Sequence, residues 1–202
     1  MLRRATFVGP LILAAFLALP TAALAGPMTP GERQRLIAHL QMTEDWLVGE
    51  LEGLSDAQLT FKTTPESWSI KDVAEHLAIA EPQYWTNLEA SMKEPVKAGW
   101  KPEATDEQML WYGIDRTNRQ RTGEARVPHG QFASAQASLA SFRKLRATML
   151  STAKASQEDF RGRPFMGGGQ DVYQWFLMVS THSQRHILQI REIKAHPNYP
   201  KK

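Results

Sequence analysis

The chain has no cysteine, so it has neither a disulfide framework nor a thiolate to serve as ligand or nucleophile. Stability must come from a packed core. Strands are equally unsupported: no period-two run rich in β-branched residues follows residue 25, and no internal repeat stands out. An excess of one charge is missing too. The formal charge is +3 at pH 7, and it falls to +1 once Arg3 and Arg4 leave with the N-terminal segment described next, which excludes a nucleic-acid footprint. The cluster Arg116, Arg119, Arg121 and Arg126 is the one basic patch, and it reads as a solvated loop rather than a phosphate-binding surface.

A membrane span needs about 20 apolar residues. The run from Phe7 to Leu19 is shorter and is interrupted by Gly9 and Pro10. With Arg3 and Arg4 before it and Ala23-Leu24-Ala25 after it, residues 1–25 have the layout of a signal peptide cleaved before Gly26. The expectation is a periplasmic or secreted protein with no stable membrane anchor after signal removal; the match to a twin-arginine pattern is poor, so the route stays open. Residues 26–202 are enough for one core, hence one domain.

Four helices are predicted. Thr29-Pro30-Gly31-Glu32 combines an N-cap, a proline at the first helical position and a glutamate three after the cap, and Leu36, Leu40, Thr43, Leu47, Leu51 and Leu54 follow at steps of three and four. The stretch from Gly53 to Pro65 breaks that stripe. Helix two starts at the Ser69 cap, with Asp72 three residues on and Trp68 placed to staple onto Val73. It continues through Leu77, Ala80, Tyr84 and Leu88, is expected to bend at Pro82, and ends near Pro95.

Residues 95–133 form a connection longer than a helix hairpin needs, with one short helical candidate from Asp106 to about Arg116. Such a crossover lets helices two and three run side by side in the same direction, and Trp100, Met109, Leu110, Trp111 and Tyr112 are expected to fold back as a lid over one end. Helix three spans roughly Ser134 to Ala155, with Ala135, Leu139, Phe142, Leu145 and Met149 on one face. Helix four runs from an Asp171 cap, with Gln174 three on, to about Ala195. The fold class is therefore all-α, a four-helix bundle with a long crossover between helices two and three.

On helix four, Trp175, Val179, His182, His186, Gln189 and Ile193 alternate steps of four and three, so both histidines lie on the inward stripe. A buried imidazole without a partner costs about 1–3 kcal/mol. Two readings remain: each ring bonds to a core neighbour, or both bind a metal with His76, at the edge of the helix-two stripe, as third ligand. Gln189, one turn past His186, is either a satisfied buried amide or a group that holds an imidazole from behind. Asp72 could reach the site, but capping explains it better. His39, His129 and His196 have no partner at ligand spacing and are expected at the surface. Ser183 stands where the glutamate of His-Glu-x-x-His would be, which excludes that metalloprotease type, and no nucleophile triad is visible.

The stretch Glu66-Ser67-Trp68-Ser69-Ile70-Lys71-Asp72-Val73-Ala74-Glu75-His76-Leu77 resembles the second-helix motif of the DinB-like (DinB/YfiT-like) superfamily. Tyr173-Gln174-Trp175 through Thr181-His182-Ser183-Gln184-Arg185-His186-Ile187-Leu188-Gln189-Ile190 is similar to its last helix. The resemblance implies a four-helix bundle with a long second connection and a metal triad falling on His76, His182 and His186. It also implies likeness to metal-dependent enzymes that use small thiols, including S-transferases and maleylpyruvate isomerases. Those thiols are mainly cytoplasmic, whereas this chain is expected outside the cytoplasm. The expected function is a metal-dependent enzyme of transferase or hydrolase type acting on a small-molecule substrate; the alternative is a non-catalytic metal-binding or interaction module of the cell envelope. Imidazole ligands suit zinc, nickel, copper and iron, of which zinc or nickel is expected here, and a homodimer is the expected assembly. No nucleic-acid partner is expected.

Overall fold

A computed structural model describes residues 26–119 and 121–201; the signal-peptide expectation falls on residues outside those described. Among the described residues there are six α-helices: α1 (Pro30–Leu51), α2 (Asp56–Thr60), α3 (Ile70–Lys93), α4 (Asp106–Ile114), α5 (Ala135–Ala155) and α6 (Val172–Lys194). Two short 3-10 turns and one isolated bridge, Pro164 to Asp171, complete the regular structure. No described helix is long and apolar enough to cross a membrane.

Helix starts follow local chemistry. Reciprocal capping boxes pair Thr29 with Glu32, Ser55 with Gln58, Ser69 with Asp72, Thr105 with Gln108 and Asp171 with Gln174. α5 starts on the simpler Ser134 cap, whose Oγ accepts from the Ala137 amide at 3.1 Å. α3 continues through Pro82 to Lys93. α2, inside the stretch expected to be irregular, is the one helix not anticipated.

The four long helices are those anticipated, and their packing fixes the topology. One apolar layer joins Leu36 and Leu40 from the start of α1, Leu88 from the end of α3, Met149 from the end of α5 and Phe176 from the start of α6. The other joins Leu47 and Leu51 from the end of α1, Ile70 and Val73 from the start of α3, Phe142 from the first half of α5 and Ile190 from the end of α6. So α3 runs parallel to α5, and α1 parallel to α6, the two pairs opposed. That is the arrangement a long crossover permits.

The crossover takes a different path from the expected lid. α4 lies along the flank of α6, where Met109 and Leu110 pack on the first apolar layer, and Trp111 points outward, 62 % exposed. The approach is close because Gly113 has no side chain: a Cβ there would lie 2.9 Å from Thr181 Cβ and 2.6 Å from Gln184 Oε1. The helix ends at Ile114, and the chain beyond it crosses the groove between α3 and α6.

Between the two apolar layers each long helix contributes polar groups. Thr43, Glu81, Arg146, Ser180 and Ser183 are fully buried there. Arg146 Nη2 donates to Glu81 Oε1 at 2.6 Å and to Ser183 Oγ at 2.9 Å, Ser183 donates to Glu81, and the Thr43 and Ser180 hydroxyls lie 2.9 Å apart.

Candidate metal centre

His76 projects from the second turn of α3 toward α6, and His182 and His186 project back from consecutive turns of α6. One ligand nitrogen from each lies within 4.8 Å of the other two, and the ring centroids are 4.5–5.2 Å apart. His76 Nε2 and His182 Nε2 are 3.3 Å apart. Two nitrogens bound at tetrahedral angle to a zinc-like ion, each about 2.0–2.1 Å from it, would be separated by roughly 3.3–3.4 Å. The donor set fits a divalent ion.

The outer nitrogens are arranged to favour this. His76 Nδ1–H donates to the Arg126 carbonyl at 2.8 Å and His186 Nδ1–H donates to Gln189 Oε1 at 2.9 Å, which leaves each Nε2 lone pair directed inward. Gln189 thus stands behind a candidate ligand, as its spacing allowed. His182 Nδ1 is buried without a hydrogen-bond partner. Trp68, the residue that staples α3, also lies against the His76 ring at 4.8 Å between centroids.

Electrostatics favour neutral rings. Burial lowers His76, with the Arg126 guanidinium adding to the effect and its carbonyl opposing it. Burial, then the neighbouring His186 and His76 rings, push His182 well below its ordinary value. Burial, then His76, bring His186 down to about 3. At neutral pH the three imidazoles carry no charge, the state that binds a metal.

The rings form the floor of an open cavity of about 720 Å³ between α3, α6 and the crossover, lined also by Trp68, Tyr84, Tyr112, Arg126 and Arg185. The buried Glu75 beside His76 pins the crossover just beyond the cavity: its Oε1 accepts from the backbone amides of His129 at 3.0 Å and Gln131 at 2.8 Å.

Several expectations need correcting. In the arginine cluster of residues 116–126, Arg119 and Arg121 are exposed, as a solvated loop would have them, but all four residues also line the cavity, because the crossover brings that segment over the α3–α6 groove. His39 is half-buried, with Nδ1 2.7 Å from Ser180 Oγ, and His196 is half-buried against Phe61 at the cavity edge; only His129 of the three is exposed. Asp72 caps α3 by accepting from the Ser69 amide at 2.9 Å and pairs with Lys62, and it takes no part in the site. From the sequence Tyr84 reads only as part of the helix-two stripe and Tyr112 only as part of the expected lid, and Arg185 is not singled out; all three line the cavity. Arg185, adjoining His186 on the helix that carries two of the three histidines, was the available signal.

A helical bundle with parallel second and third rods and three histidines converging from two of them defines the class of protein. The chain belongs to the DinB superfamily, whose family model matches residues 39–190. YuaE of Bacillus subtilis (strain 168), an uncharacterized protein, is 30 % identical over 154 residues, covering 75 % of this chain and 91 % of YuaE. Among solved structures, YfiT from Bacillus subtilis is similar with a TM-score of 0.56 and 19 % identity, covering 83 % of this chain and 88 % of that one. YfiT is described as a probable metal-dependent hydrolase with an unusual four-helix bundle topology.

Proposed function

We propose that this protein is a metal-dependent enzyme of hydrolase or transferase type, exported from the cytoplasm, whose divalent ion, zinc or nickel, is held by His76, His182 and His186. The observation that carries the proposal is the convergence of three neutral imidazoles, two of them oriented from behind, on the floor of a cavity open to solvent. Such an ion supplies Lewis-acid chemistry, polarising a substrate oxygen and lowering the pKa of what it binds. The chain's own groups do the rest. Trp68 and Tyr84 flank the His76 and His182 rings in the cavity wall, Gln189 and the Arg126 carbonyl hold two rings in one tautomer, and the cavity has the size of a small-molecule site, typically about 300–1,000 Å³. YfiT's description supports the hydrolase side. Residues 1–25 supply the export reading through their basic start, apolar run and small residues before Gly26.

One observation favours a non-catalytic metal-binding module instead. Among the described lining residues the only carboxylate is Glu192, and both its oxygens accept from Arg116, so no free carboxylate base faces the histidines. Elemental analysis of mature protein recovered from the periplasmic or culture fraction, with its N-terminal mass, tests the proposal. The expected result is about one zinc or nickel per chain beginning at Gly26, lost in His182→Ala. Equal metal content in wild type and variant overturns the site, and an uncleaved chain in the cytoplasm overturns export.

A further inference from the structure

We infer that the cavity over the three histidines is a binding site for the oxyanion of a small acidic molecule, with Arg126 as its principal anchor; this rests on the enzyme reading above and names its substrate class. The cavity wall carries five guanidinium groups, Arg116, Arg119, Arg121, Arg126 and Arg185, against the single carboxylate of Glu192. Arg116 takes that carboxylate through two hydrogen bonds of 3.0 and 2.9 Å. The other four have no acidic partner among the described residues.

Two of those four are built into the wall rather than waving from it. Arg185 is only 6 % exposed, donates to the backbone carbonyls of Tyr112 and Asn118, and lies 5.1 Å from the Tyr112 ring centroid. Those dipoles and that π-face orient the cation without cancelling its charge. Arg126 stacks over Tyr84 at 5.5 Å, and its Nε is buried with no hydrogen-bond partner. For a guanidinium fixed in a cavity wall with no acidic partner, the complementary group is a carboxylate or phosphate, whose two oxygens match the planar fork. Arg119 and Arg121 are exposed at the rim, where like charges raise the local concentration of anions.

The histidines strengthen the case. Neutral rings bring no negative charge, and a divalent ion would add two positive charges to a wall already in excess. Anionic substrate is the complement the cavity lacks. Arg126 also serves the centre twice, because its carbonyl holds His76 while its guanidinium faces the cavity. A ligand whose oxyanion sits on that guanidinium is brought to the floor where the three imidazoles meet.

The test is calorimetric titration of inorganic phosphate and of succinate into zinc-loaded and chelator-treated protein at low salt. At least one probe is expected to bind with one-to-one stoichiometry, more weakly as salt rises, and the tighter of the two distinguishes a phosphate from a carboxylate substrate. Arg126→Ala should weaken binding at least tenfold while zinc content stays at the wild-type level, since the backbone carbonyl is retained; Arg126→Lys should recover part of the loss. Arg119→Ala combined with Arg121→Ala, both at exposed positions, should lower affinity several-fold and flatten its salt dependence. Phosphate binding that depends on Arg126 in protein unable to take up zinc sustains the anion site and overturns the metal reading. Failure of both probes to bind either form, or Arg126→Ala binding as wild type does, overturns the anion site.

Discussion

Glu81 and Arg146 face each other with no exposed side-chain surface, in the polar layer that divides the core. Burial raises the Glu81 carboxyl and lowers the Arg146 guanidinium, each opposed by the partner's charge 2.6 Å away. Removing one partner strands the other. Glu81→Ala is therefore expected to cost about 3–5 kcal/mol in urea denaturation, whereas Glu81→Leu with Arg146→Met should recover most of that, because an apolar pair leaves no buried charge. A double variant as unstable as the single would refute this account. Arg146 lies on the buried stripe by spacing, four after Phe142 and three before Met149, but an arginine there reads as a break in the apolar face until Glu81 is seen opposite. The triad was more legible: helical periodicity places His182 and His186 on the stripe whatever their neighbours, and His76 sits two turns after a strong cap.

At the scale of elements, the long helices announce themselves by caps and stripes, while the crossover does not. Its path depends on a contact that no periodicity encodes, the backbone of Gly113 against Thr181 and Gln184 of α6. Adding one methyl there forces the two helices apart. Gly113→Ala should cost about 1–3 kcal/mol by overpacking and increase proteolytic cleavage within residues 115–131 as α4 loosens. Unchanged stability and cleavage would show that the contact is not what seats the crossover. The place of the arginines of residues 116–126 over the cavity is hidden for the same reason: a loop's composition does not say what it passes over. α2 escaped notice because five residues carry no stripe, although its Ser55 and Gln58 capping box is plain in retrospect.

For the whole molecule, the lowered histidines set an acid limit. The folded-state values of His39, His76, His182 and His186 all lie below the ordinary 6.5, so the unfolded chain binds more protons than the native one as pH drops below that value. Native stability is fully present above about pH 6.5 and declines toward acid, before the carboxylates held low by partners, such as Asp106 and Glu50, begin to contribute. Burial of Asp171, raised to about 6, works in the opposite direction. The difference between variants isolates the histidine share: in chelator-treated protein, the urea midpoint of wild type should fall more steeply between pH 7 and pH 5 than that of His186→Gln. Parallel slopes would mean that His186 is not held neutral by its surroundings.

The rods of the bundle supply the three imidazoles, whereas the surface opposite them is drawn largely from the segment between α3 and α5, pinned at one end by Glu75 and along its length by Gly113. On the function proposed above, reactivity belongs to the rods and much of the selectivity to a separable stretch of polypeptide. On that reading, changes within residues 95–133 that keep the Arg126 carbonyl on His76 can alter which molecules are admitted while the three rings stay where they are, so that one scaffold can serve many reactants without rebuilding its floor.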